Sequence, residues 1–225
     1  MDQSVEETVE GVYPETIPME RYFDELACAF VRGRLGNGSA TLTDGLKAGL
    51  RLHKFKVNAD LPRVRRVIGV LRGLSPDNLL DVGSGRGTFL WPLLASLPKI
   101  SVTAIEVSEQ RATDLAAVRS GGVSRLTVIR MDAQKMGFAP QSFDVVTMLE
   151  VLEHMPDPLA ALRCAVAAAR RFLVLSVPSV PDDNPEHLHL FTPDHLRTMA
   201  KEAGGARTTV EHVLNHRIAI ITIHR

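Results

Sequence analysis

Residues 79–87 read Leu79-Leu80-Asp81-Val82-Gly83-Ser84-Gly85-Arg86-Gly87, an acid followed by three glycines at every second position. An apolar run ending in such a loop, with helix-forming sequence after it, builds a site for a nucleoside cofactor. The glycines let the backbone turn and approach a ligand where a Cβ would collide. A dinucleotide loop reads G-x-G-x-x-G and seats a pyrophosphate on a helix N-terminus. Here the order is D-x-G-x-G-x-G, with the acid inside the motif. Asp81 would repel a phosphate there and favour a cationic or amine-bearing ligand. A second reactive group follows in Glu150-Val151-Leu152-Glu153-His154. With a helix begun after Leu149, Glu150, Glu153 and His154 stand at i, i+3 and i+4 and share one face. The segment Asn184-Pro185-Glu186-His187-Leu188-His189-Leu190-Phe191 can bring His189 or His187 opposite them. Two carboxylates and two imidazoles suit a divalent cation. The alternative is a metal-free general base at His154.

The elements that must position these groups alternate along the chain. Strand-like apolar runs lie at 79–82, 102–107, 126–129, 143–149 and 172–177, with helical patterns at 89–97, 108–119, 158–170 and 192–203. Such alternation predicts βαβ units and a parallel sheet covered on both faces. Residues 207–213 and 218–224 are strand-like runs joined by Leu214-Asn215-His216-Arg217, a hairpin that requires an antiparallel strand. His212 and His216 read as structural, and Trp91 as core. Ahead of the loop, three helices are predicted. One runs from Pro18 to about Arg34, one from a Thr43-Asp44 cap to about Lys54, and one starts at Pro62 with Val64, Val67, Ile68 and Leu71 on one face.

The chain has 225 residues, 45% hydrophobic and 23% charged, enough for one α/β domain with an appendage. Formal net charge is zero, so no global field recruits nucleic acid or membrane. Charge is nonetheless segregated. Residues 1–25 hold eight acids and one base, whereas residues 51–72 hold seven Lys and Arg and one acid. The basic run is either a solvated helix face or a rim that attracts an anionic substrate. Cys28 and Cys164 lie far apart and form no metal-like or redox pair, which points to a reducing, cytoplasmic compartment. The acidic N-terminus is not a signal peptide, and no apolar run is long enough to span a membrane.

The D-x-G-x-G-x-G loop resembles the first motif of the class I S-adenosylmethionine (SAM) methyltransferases, whose cofactor carries an ammonium and a sulfonium. Further positions fit that resemblance in order. Glu106, 19 residues after Gly87, ends the second strand where an acid accepts the ribose hydroxyls. Asp132 follows the third strand, where a polar residue meets the adenine amino group. The resemblance covers about residues 78–225. It implies an α/β, Rossmann-like, seven-stranded, mostly parallel sheet with a C-terminal antiparallel hairpin, helices on both faces and an N-terminal helical lid. The division it implies is a flexible acidic tail over 1–16, a helical lid over 17–75 and a SAM-binding domain over 76–225. It also implies that Asp81, Gly83, Ser84, Gly85, Gly87, Glu106, Val107, Asp132, Ala133 and Leu149 contact SAM, with Arg86 within reach of its carboxylate.

The E-x-x-E-H group with a distant H-x-F resembles two metal-assisted O-methyltransferase groups: the small-RNA 3′-terminal 2′-O-methyltransferases and the ubiquinone-biosynthesis O-methyltransferases. That likeness implies that Glu150, Glu153, His154 and His189 are catalytic and hold Mg²⁺ or a similar ion. In the metal-free alternative Glu150 contacts the methionine end of SAM. Leu149-Glu150-Val151-Leu152 stands where amino-methylating nucleic-acid enzymes carry an Asn/Asp-Pro-Pro-aromatic motif, which favours an oxygen acceptor. Three readings remain at this stage. The first is O-methylation of a small hydroxylated metabolite. The second is RNA-end 2′-O-methylation, with the basic 51–72 run gripping phosphate. The third is a non-catalytic SAM-binding partner protein. The oligomeric state is not legible in the sequence.

Overall fold

The computed structural model describes residues 23–57 and 61–224. The predicted acidic tail and the helix start expected at Pro18 lie outside the described residues. Three helices come first: α1 (Asp24–Leu35), α2 (Leu42–Lys47) and α3 (Pro62–Leu74). Then follow β1 (Asn78–Val82), α4 (Leu90–Ser96), β2 (Ser101–Glu106), α5 (Glu109–Ser120), β3 (Leu126–Arg130) and β4 (Phe143–Leu149). The chain continues through α6 (Pro158–Ala168), β5 (Ala169–Pro178), α7 (Pro193–Glu202), β6 (Gly205–Val213) and β7 (His216–Ile223).

All seven predicted strands are present, in the sheet order β3-β2-β1-β4-β5-β7-β6. The first five pair in parallel, while β7 runs antiparallel to both β5 and β6. The expected hairpin therefore closes the sheet. Strand order reverses between β1 and β4, and the carboxyl ends of these two strands open a crevice at that switch point. Successive strand residues point to opposite faces, so both faces need cover. Leu79 and Val145 join one buried cluster with α1, α3, α4 and α5. Leu80, Val82, Val146 and Met148 join the other, beneath α6 and α7.

One boundary expectation fails. The second helix stops at Lys47 instead of continuing to Lys54. Gly49 there adopts φ +75°, and the Leu50 amide donates to Gly45 O, a left-handed helix ending. His53–Phe55 then forms a separate 3-10 turn. The N-cap is Thr41, in a reciprocal capping box with Asp44, instead of the Thr43-Asp44 pair. Phe55 is fully buried and stacks between Phe30 and Trp91, with ring centroids 5.3 and 4.9 Å away. Trp91 is core, as expected.

The helical prelude is fastened to the sheet domain by missing side chains. A Cβ on Gly33 of α1 would lie 1.9 Å from Ala117 O of α5, and one on Gly121 would lie 1.7 Å from Ala29 O. The obstacles are backbone atoms, which a rotamer change cannot move. Among the described residues of the prelude, those that line the crevice belong to α3: Arg63 and Val64.

Gly33→Ala is therefore expected to destabilise the fold by about 2 kcal/mol, because overpacking outweighs the helix propensity gained. Gly69, inside α3, has nothing within 4 Å of its would-be Cβ. Gly69→Ala should stabilise by about 0.5–1 kcal/mol through propensity alone. Urea unfolding of the two variants checks the opposite signs.

Candidate active site

The glycine loop leaves β1 and turns back over the end of β2. The amides of Gly83 and Ser84 both donate to Ile105 O, at 2.9 and 3.2 Å. Gly83, Gly85 and Gly87 take φ values of +70°, +57° and +89°, a left-handed region that side chains disfavour. At Gly87 the space is also closed, since a Cβ would lie 2.0 Å from the Trp91 ring. Trp91 Nε1 donates to Arg86 O at 3.0 Å and so holds the loop from below. The spacing of the glycines thus answers to a real backbone demand.

Asp81 is 2% exposed at the end of β1. In register it stands beside Thr147 of β4. Thr147 Oγ1 donates to Asp81 Oδ1 at 2.8 Å, and Ser84 Oγ donates to Oδ2 at 2.6 Å. Burial nonetheless pushes its pKa up to about 6, the two hydroxyls only partly offsetting the desolvation. Glu106, 3% exposed, ends β2 and accepts from the Gly85 amide at 2.8 Å and the Ser108 amide at 2.9 Å. Each carboxylate oxygen keeps further lone pairs. Asp132 lies two residues beyond β3, with Oδ1 accepting from the Gln134 amide, 2.9 Å away. Val107 is 63% exposed beside Glu106, an apolar surface open to a ligand, whereas Ala133 and Leu149 are buried. Three acids thus stand at the carboxyl ends of neighbouring strands. A cavity of about 160 Å³ at β1 and β4 is lined by Asp81, Gly83, Ser84, Gly85, Leu149 and Glu150, with Arg86 and Thr88 on its rim.

The expected helical face of Glu150, Glu153 and His154 does not form. Glu150 has φ +56° and stands outside the 3-10 turn Leu152–His154. A non-glycine residue there is strained and is held by its surroundings. Its amide donates to Ser176 O at 2.9 Å, and its Oε1 accepts from Ser176 Oγ at 2.6 Å. His216 Nε2 lies 3.0 Å from Oε2, and Arg63 Nε lies 3.8 Å from Oε1. Burial holds the His216 imidazole below its ordinary range, opposed by Glu150, so His216 donates as a neutral ring at pH 7. His216 is thus a site residue, not only a hairpin residue as the sequence read it. Thr147, Ser176, Arg63 and His216 all escaped the sequence reading as site residues. The sequence reads His216 as structural and Arg63 as part of the basic run, while Thr147 leaves a trace as a polar residue inside the apolar run Val145-Val146-Thr147-Met148-Leu149.

Glu153 is fully buried, and neither carboxylate oxygen has a hydrogen-bond partner among the described residues. Desolvation, with Glu150 next, pushes its pKa up to about 8. One ligand-capable atom each from Glu153, His154 and His187 lies within 4.8 Å of the others. His154 Nδ1 is 3.0 Å from Glu186 O, and His187 Nδ1 is 2.9 Å from Asp182 Oδ1. Such contacts fix the tautomer and leave Nε2 of each ring with its lone pair. His189 Nε2 lies 2.9 Å from Met155 O, and His189 stands outside the group around Glu153. The structure thus brings His187, not His189, to Glu153 and His154, while Glu150 engages Ser176 and His216 instead of joining that group. An orphaned carboxylate beside two oriented imidazoles fits a divalent cation.

The buried Asp81 carries a pH signature. Its folded pKa lies above the ordinary 3.8, so ionisation favours the unfolded chain. The stabilisation is intact below about pH 4 and falls as pH rises to about 6, by on the order of 3 kcal/mol. Asp81→Asn should flatten that slope, as read from urea midpoints of both proteins across the window.

Against known proteins, residues 80–171 match a family described as methyltransferase domain. The chain is 36% identical over 110 residues to 27-O-demethylrifamycin SV methyltransferase of Amycolatopsis mediterranei, covering 47% of this chain and 39% of that one. It is 31% identical over 109 residues to the ubiquinone biosynthesis O-methyltransferase of Nitrosomonas europaea, covering 46% and 44%. The chain thus spans about two fifths of the length of these relatives. Among solved structures, a SAM-dependent methyltransferase from Aquifex aeolicus superposes with a TM-score of 0.59 at 19% identity, over 74% of this chain and 100% of that one. That likeness shows a shared fold. Residues 80–171 are therefore similar to a methyltransferase domain, set in a sheet whose fold is shared with a SAM-dependent methyltransferase.

Proposed function

We propose that the protein transfers a methyl group from SAM to a hydroxyl oxygen of a small metabolite. The observation that carries this reading is the row of Asp81, Glu106 and Asp132 at the ends of β1, β2 and β3, beside a loop already folded to admit a ligand. SAM, when bound, supplies an electrophilic methyl on a sulfonium. Asp81, beside Ser84 and the glycine loop at 83–87, receives the ammonium end through its carboxylate. Glu106 accepts the ribose hydroxyls, Asp132 accepts the adenine amino group, and Val107, Ala133 and Leu149 give apolar cover. The names of both relatives place oxygen methylation or a demethylated oxygen in small molecules, which supports oxygen as the acceptor atom.

On the acceptor side, Glu153, His154 and His187 are the residues that would hold a divalent cation such as Mg²⁺. A cation there supplies positive charge that acidifies a substrate hydroxyl. Glu150, fixed by Ser176, Arg63 and His216, instead positions the end of β4 beside the donor cleft. His189 anchors the following loop through Met155 O. The described part of the prelude acts as the substrate-side cover, with α3 its nearest element.

Calorimetry should show SAM binding to the purified chain, and Glu106→Ala should weaken it at least about tenfold by removing a charged acceptor. Failure of the wild-type protein to bind SAM removes the whole reading. Turnover on a panel of hydroxylated metabolites and RNA oligomers should favour the metabolites, fall with EDTA and return with Mg²⁺ or Mn²⁺. Mn²⁺ should also raise the melting temperature of the wild type through binding to the folded state, but not that of Glu153→Gln. Indifference of both rate and melting temperature to EDTA would remove the cation while leaving the transferase.

A further inference from the structure

A larger cavity, about 520 Å³, lies beside the donor cleft between α3, α4 and the 3-10 turn at 53–55. This falls in the roughly 300–1,000 Å³ range of small-molecule sites. The two spaces share Val64, Arg86 and Thr88 as a common wall. One side of the cavity is apolar, made by Phe23, Leu61, Val64, Ile68, Trp91 and Pro92. The lining also carries Lys54, Lys56, Arg65, Arg72 and Arg86, and among the described residues no Asp or Glu lines it. Arg65, Ile68 and Arg72 stand at i, i+3 and i+7 of α3, so one helix face presents both cation and hydrocarbon. Lys54 is already matched by Asp114 at 2.5 Å and lies over the Phe30 ring, 4.1 Å from its centroid. The guanidinium groups of Arg72 and Arg86 have no acidic partner within 4 Å among the described residues. Like charges converging on a concave, low-dielectric wall focus a positive potential into it.

We propose that this cavity binds a small amphipathic anion, with a phosphate-class group held by the Arg72 and Arg86 side and a short apolar body against Ile68 and Trp91. The site stands on its own geometry and does not require the transferase reading. It also gives the basic run 51–72 a task that a solvated helix face would not have.

Trp91 is the single tryptophan of the chain and lines the cavity, so its emission reports occupancy directly. Titration of the full chain with octyl phosphate should give a saturable change. Octanol, octylamine and inorganic phosphate should each bind at least about tenfold more weakly, since each lacks one half of the match. Rising salt should weaken octyl phosphate and spare octanol. Arg72→Gln and, separately, Arg72→Glu should each lower octyl phosphate affinity by at least about tenfold with the SAM affinity and melting temperature unchanged. Octyl phosphate binding no tighter than octanol overturns the charge half of the proposal, and binding no tighter than inorganic phosphate overturns the apolar half. Affinity unmoved in both well-folded variants overturns it as a whole. Loss of SAM binding in the wild type, with octyl phosphate still bound, would defeat the transferase reading and leave this one standing.

Discussion

The crevice depends on a buried carboxylate that the fold keeps at a cost. Asp81 stands where the strand order reverses, next to Thr147 in register and beneath Ser84. Its two hydroxyl donors satisfy hydrogen bonding without supplying a counter-charge. No cation among the described residues pairs with the acid, so a cationic ligand fits the position better than a phosphate. The same strand reversal leaves the ends of β1 and β4 uncovered, so the acid lies within reach of the crevice. Around it the parallel strands are apolar on both faces, and that rigid setting makes one misplaced charge tolerable.

A second constraint is the tie between loop and sheet. Ile105 O takes two loop amides, and Glu106 takes a third from Gly85. The backbone conformation that the glycines permit is therefore imposed by the end of β2. This coupling ties the acid of the second strand to the glycines of the first.

Much of this was legible in the sequence because it is local. Strand and helix alternation, the glycine spacing, Glu106, Asp132 and the terminal hairpin all depend on near neighbours along the chain. The region after β4 was not, because its conformation is decided by distant partners. Ser176 on β5, His216 on β7 and Arg63 on α3 hold Glu150 in a left-handed conformation that no helical periodicity anticipates. The choice between His187 and His189 likewise depends on which ring finds Asp182 and which finds Met155 O. Close helix contacts were hidden for another reason. Gly33 and Gly121 sit 88 positions apart, and a glycine in a helix announces only a weak helix until its neighbour is known.

The double engagement of Glu106 changes how that residue will behave under selection and in the laboratory. Its carboxylate is both a candidate ligand group and a hinge pin for the empty loop. Truncating it would free the loop to explore other shapes before any cofactor arrives. The lost affinity would then appear partly as a slower approach to the bound state and partly as faster escape. A bound and an empty crystal of the natural chain would by the same logic look nearly alike at residues 83–87. Position 106 is therefore one at which Asp is a poor replacement for Glu. The shorter arm could keep a hydroxyl or keep the loop, and the geometry offers it no way to keep both.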